Sequence, residues 1–295
     1  MSIGFLFNTM YNLVDSFYAG RVSTSALAAL ALSFPVFFII IAISEGIARG
    51  SAALIANAIG AKDEEKEKRL SRQIYSLGLI CALSLTAIGL SVAPSLFRIL
   101  GAEGEYFDLA LGYVSPLFIG AVFFLISSMS NAILLAHGDS KTFGKVLVAG
   151  FLLNLILDPW FLYGGFGLPA MGVPGIAWAT VLIQALGGSF LLSVVVRRGY
   201  VDLGALFKQR PKPKIYGEIL RQGIPTSFNM MSIALGFFVT TYFLKFYGEV
   251  SVRLLALVRE SSSWRFFRRS GLGLQLFPLS VRTTGRDEWT GLAIV

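Results

Sequence analysis

Residues 27–58 read LAALALSFPVFFIIIAISEGIARGSAALIANA. The apolar positions run continuously rather than alternating, so a half-buried strand with one polar face does not describe them. The run is longer than the roughly 20 residues an α-helix needs to cross the hydrocarbon core of a bilayer. An open sheet cannot replace that helix, because unpaired strand edges find no water to bond in lipid. The stretch is read as a membrane-crossing helix.

Working outward, six more apolar runs reach comparable length: 1–19, 73–97, 109–136, 142–163, 172–196 and 223–247. Composition agrees, with 55% hydrophobic and only 14% charged residues. The fold class is therefore all-α and integral to a membrane, in contact with the lipid bilayer. Residue 1 opens directly into an apolar run, with no basic segment or small-residue cleavage site, so that run is read as a span. Cys81 is the single cysteine and lies inside the third run, where it cannot form an intrachain disulfide and serves as a packing residue.

Lys and Arg set the orientation. They crowd the connections after the second, fourth and sixth runs (Lys62, Lys66, Lys68, Arg69, Arg72, Lys141, and Arg197 through Arg221), whereas the other connections hold only Arg21 and Arg98. The N-terminus is then cytoplasmic, in a multi-pass protein of the cell membrane. The net charge of +8 reflects topology and tail rather than nucleic-acid binding, and residues 62–72 are read as a solvated cytoplasmic turn.

Two acids lie inside spans, Asp15 in the first and Asp158 in the fifth. A charge in hydrocarbon costs several kcal/mol, about 2.5 to 3.5 on insertion scales, so each marks a site or a watered path. Both spans run outward, and both carboxylates fall roughly 8 to 9 Å inside the outer helix ends, which allows them to share one cavity. Two adjacent carboxylates in a low dielectric hold a shared proton or a cation such as Na⁺. Asn154 precedes Asp158 by one turn on the same face. Pro159 leaves the Leu155 carbonyl without its helical donor, a further oxygen for a hard cation. An interhelical hydrogen bond with only a packing role is the competing reading.

Glu45 and Arg49, also one turn apart, are read as a self-neutralising pair. Gly46, Gly50, Ser51, Ala52 and Ala53 permit close helix approach. His137, at the cytoplasmic end of the fourth run, is read as structural. No phosphate-binding Gly loop follows a strand, no His/Cys cluster has metal-ligand spacing, and no serine has a nearby His base, so neither enzyme activity nor a cofactor is expected.

Five ordered motifs carry a resemblance: residues 11–21 (YNLVDSFYAGR), 58–61 (AIGA), 131–139 ending in Gly138-Asp139, 154–159 (NLILDP) and 172–180 (GVPGIAWAT). Together they resemble the multidrug and toxic compound extrusion, or MATE, transporters. The resemblance implies antiport: efflux of small amphipathic or cationic organic compounds driven by Na⁺ or H⁺, with the coupling ion in place of a cofactor. It implies an ion site at Asp15, Asn154 and Asp158, where Na⁺ is the candidate metal, joined by Thr180. It also places Tyr113 and Asn131 along the cavity.

The family folds as two six-helix lobes, so the resemblance divides this chain into a six-helix N-terminal lobe (1–196), a cytoplasmic inter-lobe linker (197–222), the first helix of a truncated second lobe (223–247) and an irregular tail (248–295). The tail changes character, with seven Arg, no Lys and no span-length run. It is expected to reflect a disrupted reading frame, a basic surface segment that binds lipid headgroups being the alternative. Two other functions are carried beside antiport: a lipid or lipid-linked oligosaccharide flippase of the same superfamily, and a fragment or scaffold that transports nothing.

Overall fold

In the computed structural model, which describes residues 2–165, 167–202, 204 and 210–244, eight helices follow one another: α1 (Ser2–Val22), α2 (Thr24–Gly60), α3 (Glu64–Ile99), α4 (Gly104–Ile119), α5 (Ala121–Ala136), α6 (Lys141–Tyr163), α7 (Val173–Arg197) and α8 (Pro213–Leu244). The tail assigned to 248–295 lies outside the described residues, as do the last residues of the predicted seventh run.

Local chemistry ends and starts these helices. Ser23 is extended and its side chain accepts the Ala26 N–H, turning the chain from α1 into α2. Asp63 caps α3 by accepting the Lys66 N–H at 3.0 Å, and Glu64, Glu65 and Glu67 place negative charge at that N-terminus. Most of the segment read as a turn over 62–72 is thus helix. Pairs such as Glu64–Lys68 and Glu65–Arg69 stabilise it at i, i+4 spacing, which an apolar-run count does not register.

The run at 109–136 is two helices, not one. α4 and α5 meet at Gly120 with a 48° bend. A Cβ on Gly120 would lie 2.5 and 2.6 Å from the two methyl carbons of Val181, so α7 packs into the elbow that glycine opens. The linker read as 197–222 is also shorter than expected, because α8 begins at Pro213, where a first-turn proline is compatible with helix. Gln73 of α3 holds the approach to it. Its Nε2 donates to the Arg210 carbonyl at 3.0 Å, and its Oε1 accepts the Lys212 N–H at 3.1 Å.

α2 is central, packed on α3, α4, α5 and α8, while α7 packs on α4, α5 and α6, and α1 lies against α2 and α6. The core between them is apolar, built on Leu32, Ile40, Phe97, Leu117, Met129 and Ile176. Large apolar side chains also cover the outside, among them Leu83 and Ile88 of α3, Ile156 of α6 and Phe190 of α7. That surface suits lipid, and the protein is a multi-pass membrane protein. By length and apolarity α2, α3, α6 and α7 each suffice to cross, and the bent α4–α5 pair is long and apolar enough when its two helices are taken together. α1 carries the polar Asn12, Asp15 and Arg21 along its length, and α8 carries Glu218 and Arg221 in its first half.

At one end of the bundle His137 closes a node. Its Nδ1 lies 2.8 Å from the Ile133 carbonyl, its Nε2 lies 3.0 Å from Glu67 Oε1, and its ring stacks on Tyr200 at 3.6 Å. These contacts tie the end of α5 to α3 and to the chain after α7.

Candidate functional site

α1 and α6 lie side by side, and their facing polar residues meet. Asp15 is 4% exposed; Asn154 and Asp158 are fully buried. One nitrogen organises them: Asn154 Nδ2 donates to Asp15 Oδ1 at 3.1 Å and to Asp158 Oδ1 at 2.7 Å. The two carboxylates can therefore be no farther apart than these two bonds laid end to end. The helical spacing of Asn154 and Asp158 supplies the shorter bond, and the α1–α6 contact supplies the longer one.

Two further helices close the site. Tyr113 of α4 donates its hydroxyl to Asp15 Oδ2 at 3.1 Å. Thr180 of α7 is buried, within electrostatic reach of Asp15 and of Tyr11. Tyr11 precedes Asp15 by one turn of α1 and packs against Leu157, Ala179 and Ile183. The hydroxyls of Tyr11 and Thr180, Asn154 Oδ1 and Asp158 Oδ2 are all buried and without a hydrogen-bond partner among the described residues. An unpaired buried polar group is costly, so four around one spot describe a place shaped for something that satisfies oxygens. Among the described residues no group of three or more His, Cys, Asp or Glu side chains is placed to hold a metal ion together. The oxygen set, two carboxylates with neutral amide and hydroxyl groups, suits a proton or a hard cation rather than a thiolate- or imidazole-seeking metal.

One expectation needs correction. The Leu155 carbonyl that Pro159 leaves free accepts the Tyr18 hydroxyl at 3.3 Å, so it is occupied from α1 rather than turned to the acid cluster. Asn131, expected along the same cavity as Tyr113, sits on α5 beyond the Gly120 elbow. Tyr11 and Tyr18 were not singled out as site residues. Their spacing from Asp15 on one face of α1 was the available signal, but it identifies a face without naming what that face meets.

The family profile described as MatE matches residues 1–160. The chain belongs to the MatE family. A probable multidrug resistance protein of Bacillus subtilis, YoeA, is 28% identical over 95% of this chain and 61% of its own length. A probable multidrug resistance protein of Thermotoga maritima, NorM, is 30% identical over 74% of this chain and 47% of its own length. A solved MATE transporter in an inward-facing conformation superposes with a TM-score of 0.78 at 33% identity, covering 90% of this chain and 58% of that one. The chain thus spans about half to three fifths of the length of the relatives it matches. The YoeA match runs past Tyr247 into the Arg-rich segment, where the sequence alone shows no family motif. These MatE relatives carry the names of resistance proteins and transporters, not of enzymes.

Proposed function

We propose that this MatE chain carries the ion-coupling half of a multidrug antiporter, which exports small amphipathic or cationic organic molecules as Na⁺ or H⁺ enters. The supporting observation is the single Asn154 amide nitrogen bonded to both Asp15 and Asp158, inside a shell of buried oxygens left without donors. Asn154 presents its nitrogen to the two acids and leaves its own oxygen free. A cation entering beside Asp158 Oδ2 finds the Asn154, Thr180 and Tyr11 oxygens at hand; a proton arriving there neutralises one acid of the pair. Either event changes the charge between α1 and α6, and that change is what a gradient acts on. The names of the relatives support multidrug export, the amphipathic or cationic class being what the resemblance implies, and the positive-inside pattern supports a cytoplasmic N-terminus in the cell membrane. A lipid-linked sugar flippase would want a cationic cavity, which two buried acids disfavour.

The test is ²²Na⁺ binding to the purified chain, and ethidium movement in vesicles driven by a Na⁺ or pH gradient. Asp158→Asn is expected to abolish both, and a pH-dependent signal without Na⁺ binding assigns the proton. Asp15→Asn and Asp158→Asn variants that bind and respond as the parent does would remove the reading.

A further inference from the structure

Glu45 and Arg49 form a second charged site that the acid cluster does not use. Arg49 Nε lies 3.2 Å from Glu45 Oε2, and the side chains are 50% (Arg49) and 29% (Glu45) exposed. Glu45 stands roughly 30 Å from the start of α2 and roughly 22 Å from its end, at about 1.5 Å per residue, deep within the longest helix of the bundle. Open exposure of charge to lipid at such depth costs several kcal/mol, so the face that bears the pair looks onto a polar, watered space.

The neighbour of that face is α8. A Cβ on Gly50 would lie 2.6 Å from the Ile219 carbonyl oxygen and 2.8 Å from the Gly223 nitrogen, and one on Gly46 would lie 2.9 Å from the Gly223 oxygen and also strike Ser227. The backbones touch, and the order of contacts, with Gly46 toward Ser227 and Gly50 toward Ile219, makes the helices antiparallel. In an antiparallel pair, the residues just before the contact positions on both helices fall on one side of the crossing. On α2 these are Glu45 and Arg49; on α8 they are Glu218, Gln222 and Thr226, with Asn229 one turn further on. Gln222 and Asn229 are exposed and Thr226 half-buried. The two helices thus form a polar groove in which Glu45 faces the neutral Gln222 and Thr226, with the exposed Glu218 toward the Arg49 end.

We propose that Glu45 is a cation-recognition residue of this α2–α8 groove and that Arg49 is its resident occupant, displaced when an organic cation binds. The proposal rests on the drug-efflux reading for its ligand class. The guanidinium neutralises Glu45 when the groove is empty, and an incoming ammonium or iminium group takes over the Glu45 carboxylate as Arg49 turns to solvent. Exposure of half its side chain allows Arg49 that movement. Arg49 is then a built-in competitor, so removing either member of the pair acts with opposite sign. A purely structural bridge gives the same sign for both.

The experiment is ethidium binding to the purified full chain in lipid nanodiscs. Glu45→Gln is expected to weaken binding at least tenfold, Glu45→Asp to retain most of it, and Arg49→Gln to tighten it several-fold. ²²Na⁺ binding should be unchanged in all three. Glu45→Gln binding ethidium like the parent, Arg49→Gln weakening it as Glu45→Gln does, or no ethidium binding by the parent, each overturns the proposal. The coupling reading fails by a separate readout, retention of ²²Na⁺ binding in Asp158→Asn.

Discussion

Tyr18 of α1 donates its hydroxyl to the Leu155 carbonyl of α6 across 3.3 Å, taking the acceptor that Pro159 strips of its helical donor. The proline creates a need on one helix, and a residue three positions after Asp15 on another meets it. Tyr18→Phe is expected to cost about 0.5 to 1.5 kcal/mol, the usual net value of one hydrogen bond. With Pro159→Ala the helix regains an N–H for that carbonyl, and Tyr18→Phe should then be nearly neutral. Thermal unfolding of the four chains of this double-mutant cycle measures the coupling, and additive effects would show that the two residues act independently.

Asn154→Leu removes the nitrogen shared by Asp15 and Asp158 while keeping the side chain's size. Loss of a donor to two buried acids should destabilise the chain by roughly 1 to 3 kcal/mol. The loss should be smaller in an Asp15→Asn background, where an amide can donate in its place. Melting curves of the single and double variants in one detergent decide this.

Gly50→Ala places a methyl group against the Ile219 carbonyl oxygen and the Gly223 nitrogen, both backbone atoms that cannot rotate aside. Overpacking of this kind costs about 1 to 3 kcal/mol. Gly60 has open space around its Cβ position, so Gly60→Ala serves as the control and should leave the melting temperature unchanged or slightly raised.

Asp139 gives a pH prediction. Thr142, through its hydroxyl at 2.6 Å and then its backbone N–H at 3.0 Å, holds the Asp139 carboxyl down at about 2, with Arg198 at 2.8 Å assisting. A carboxyl depressed in the folded state stabilises it above the ordinary carboxylate value near 4 and loses that contribution as pH falls toward 2. Asp139→Ala should therefore cost about 1 kcal/mol near neutral pH, the usual worth of such a cap. The difference from the parent chain should narrow as pH drops from about 4 to 2. Melting temperatures of the two chains across that window check the sign.

Much of this was legible because it is local. The pairing of Asn154 with Asp158 and of Glu45 with Arg49 follows from one helical turn of separation, and the structure places both pairs in contact. The small residues of α2 pointed to a close helix partner, which is α8. The Gly120 elbow was not legible, since an apolar run with one glycine reads as a single span until Val181 is found in the bend. The capture of the Leu155 carbonyl was not legible either, because rules about proline describe what is lost on one helix and cannot name the donor on another.

Hydrophobic runs, intramembrane charges and helical spacing were sufficient to establish a helical membrane protein with two expensive acids, since those properties belong to single segments and to the cost of charge in lipid. Only the packing of α1 on α6, with α4 and α7 closing over them, decided that Asp15 and Asp158 share one amide nitrogen and that Tyr113 and Thr180 sit beside them. Contacts between residues far apart in the chain depend on how helices cross, and no periodicity along one helix encodes the rotation and register of its neighbour.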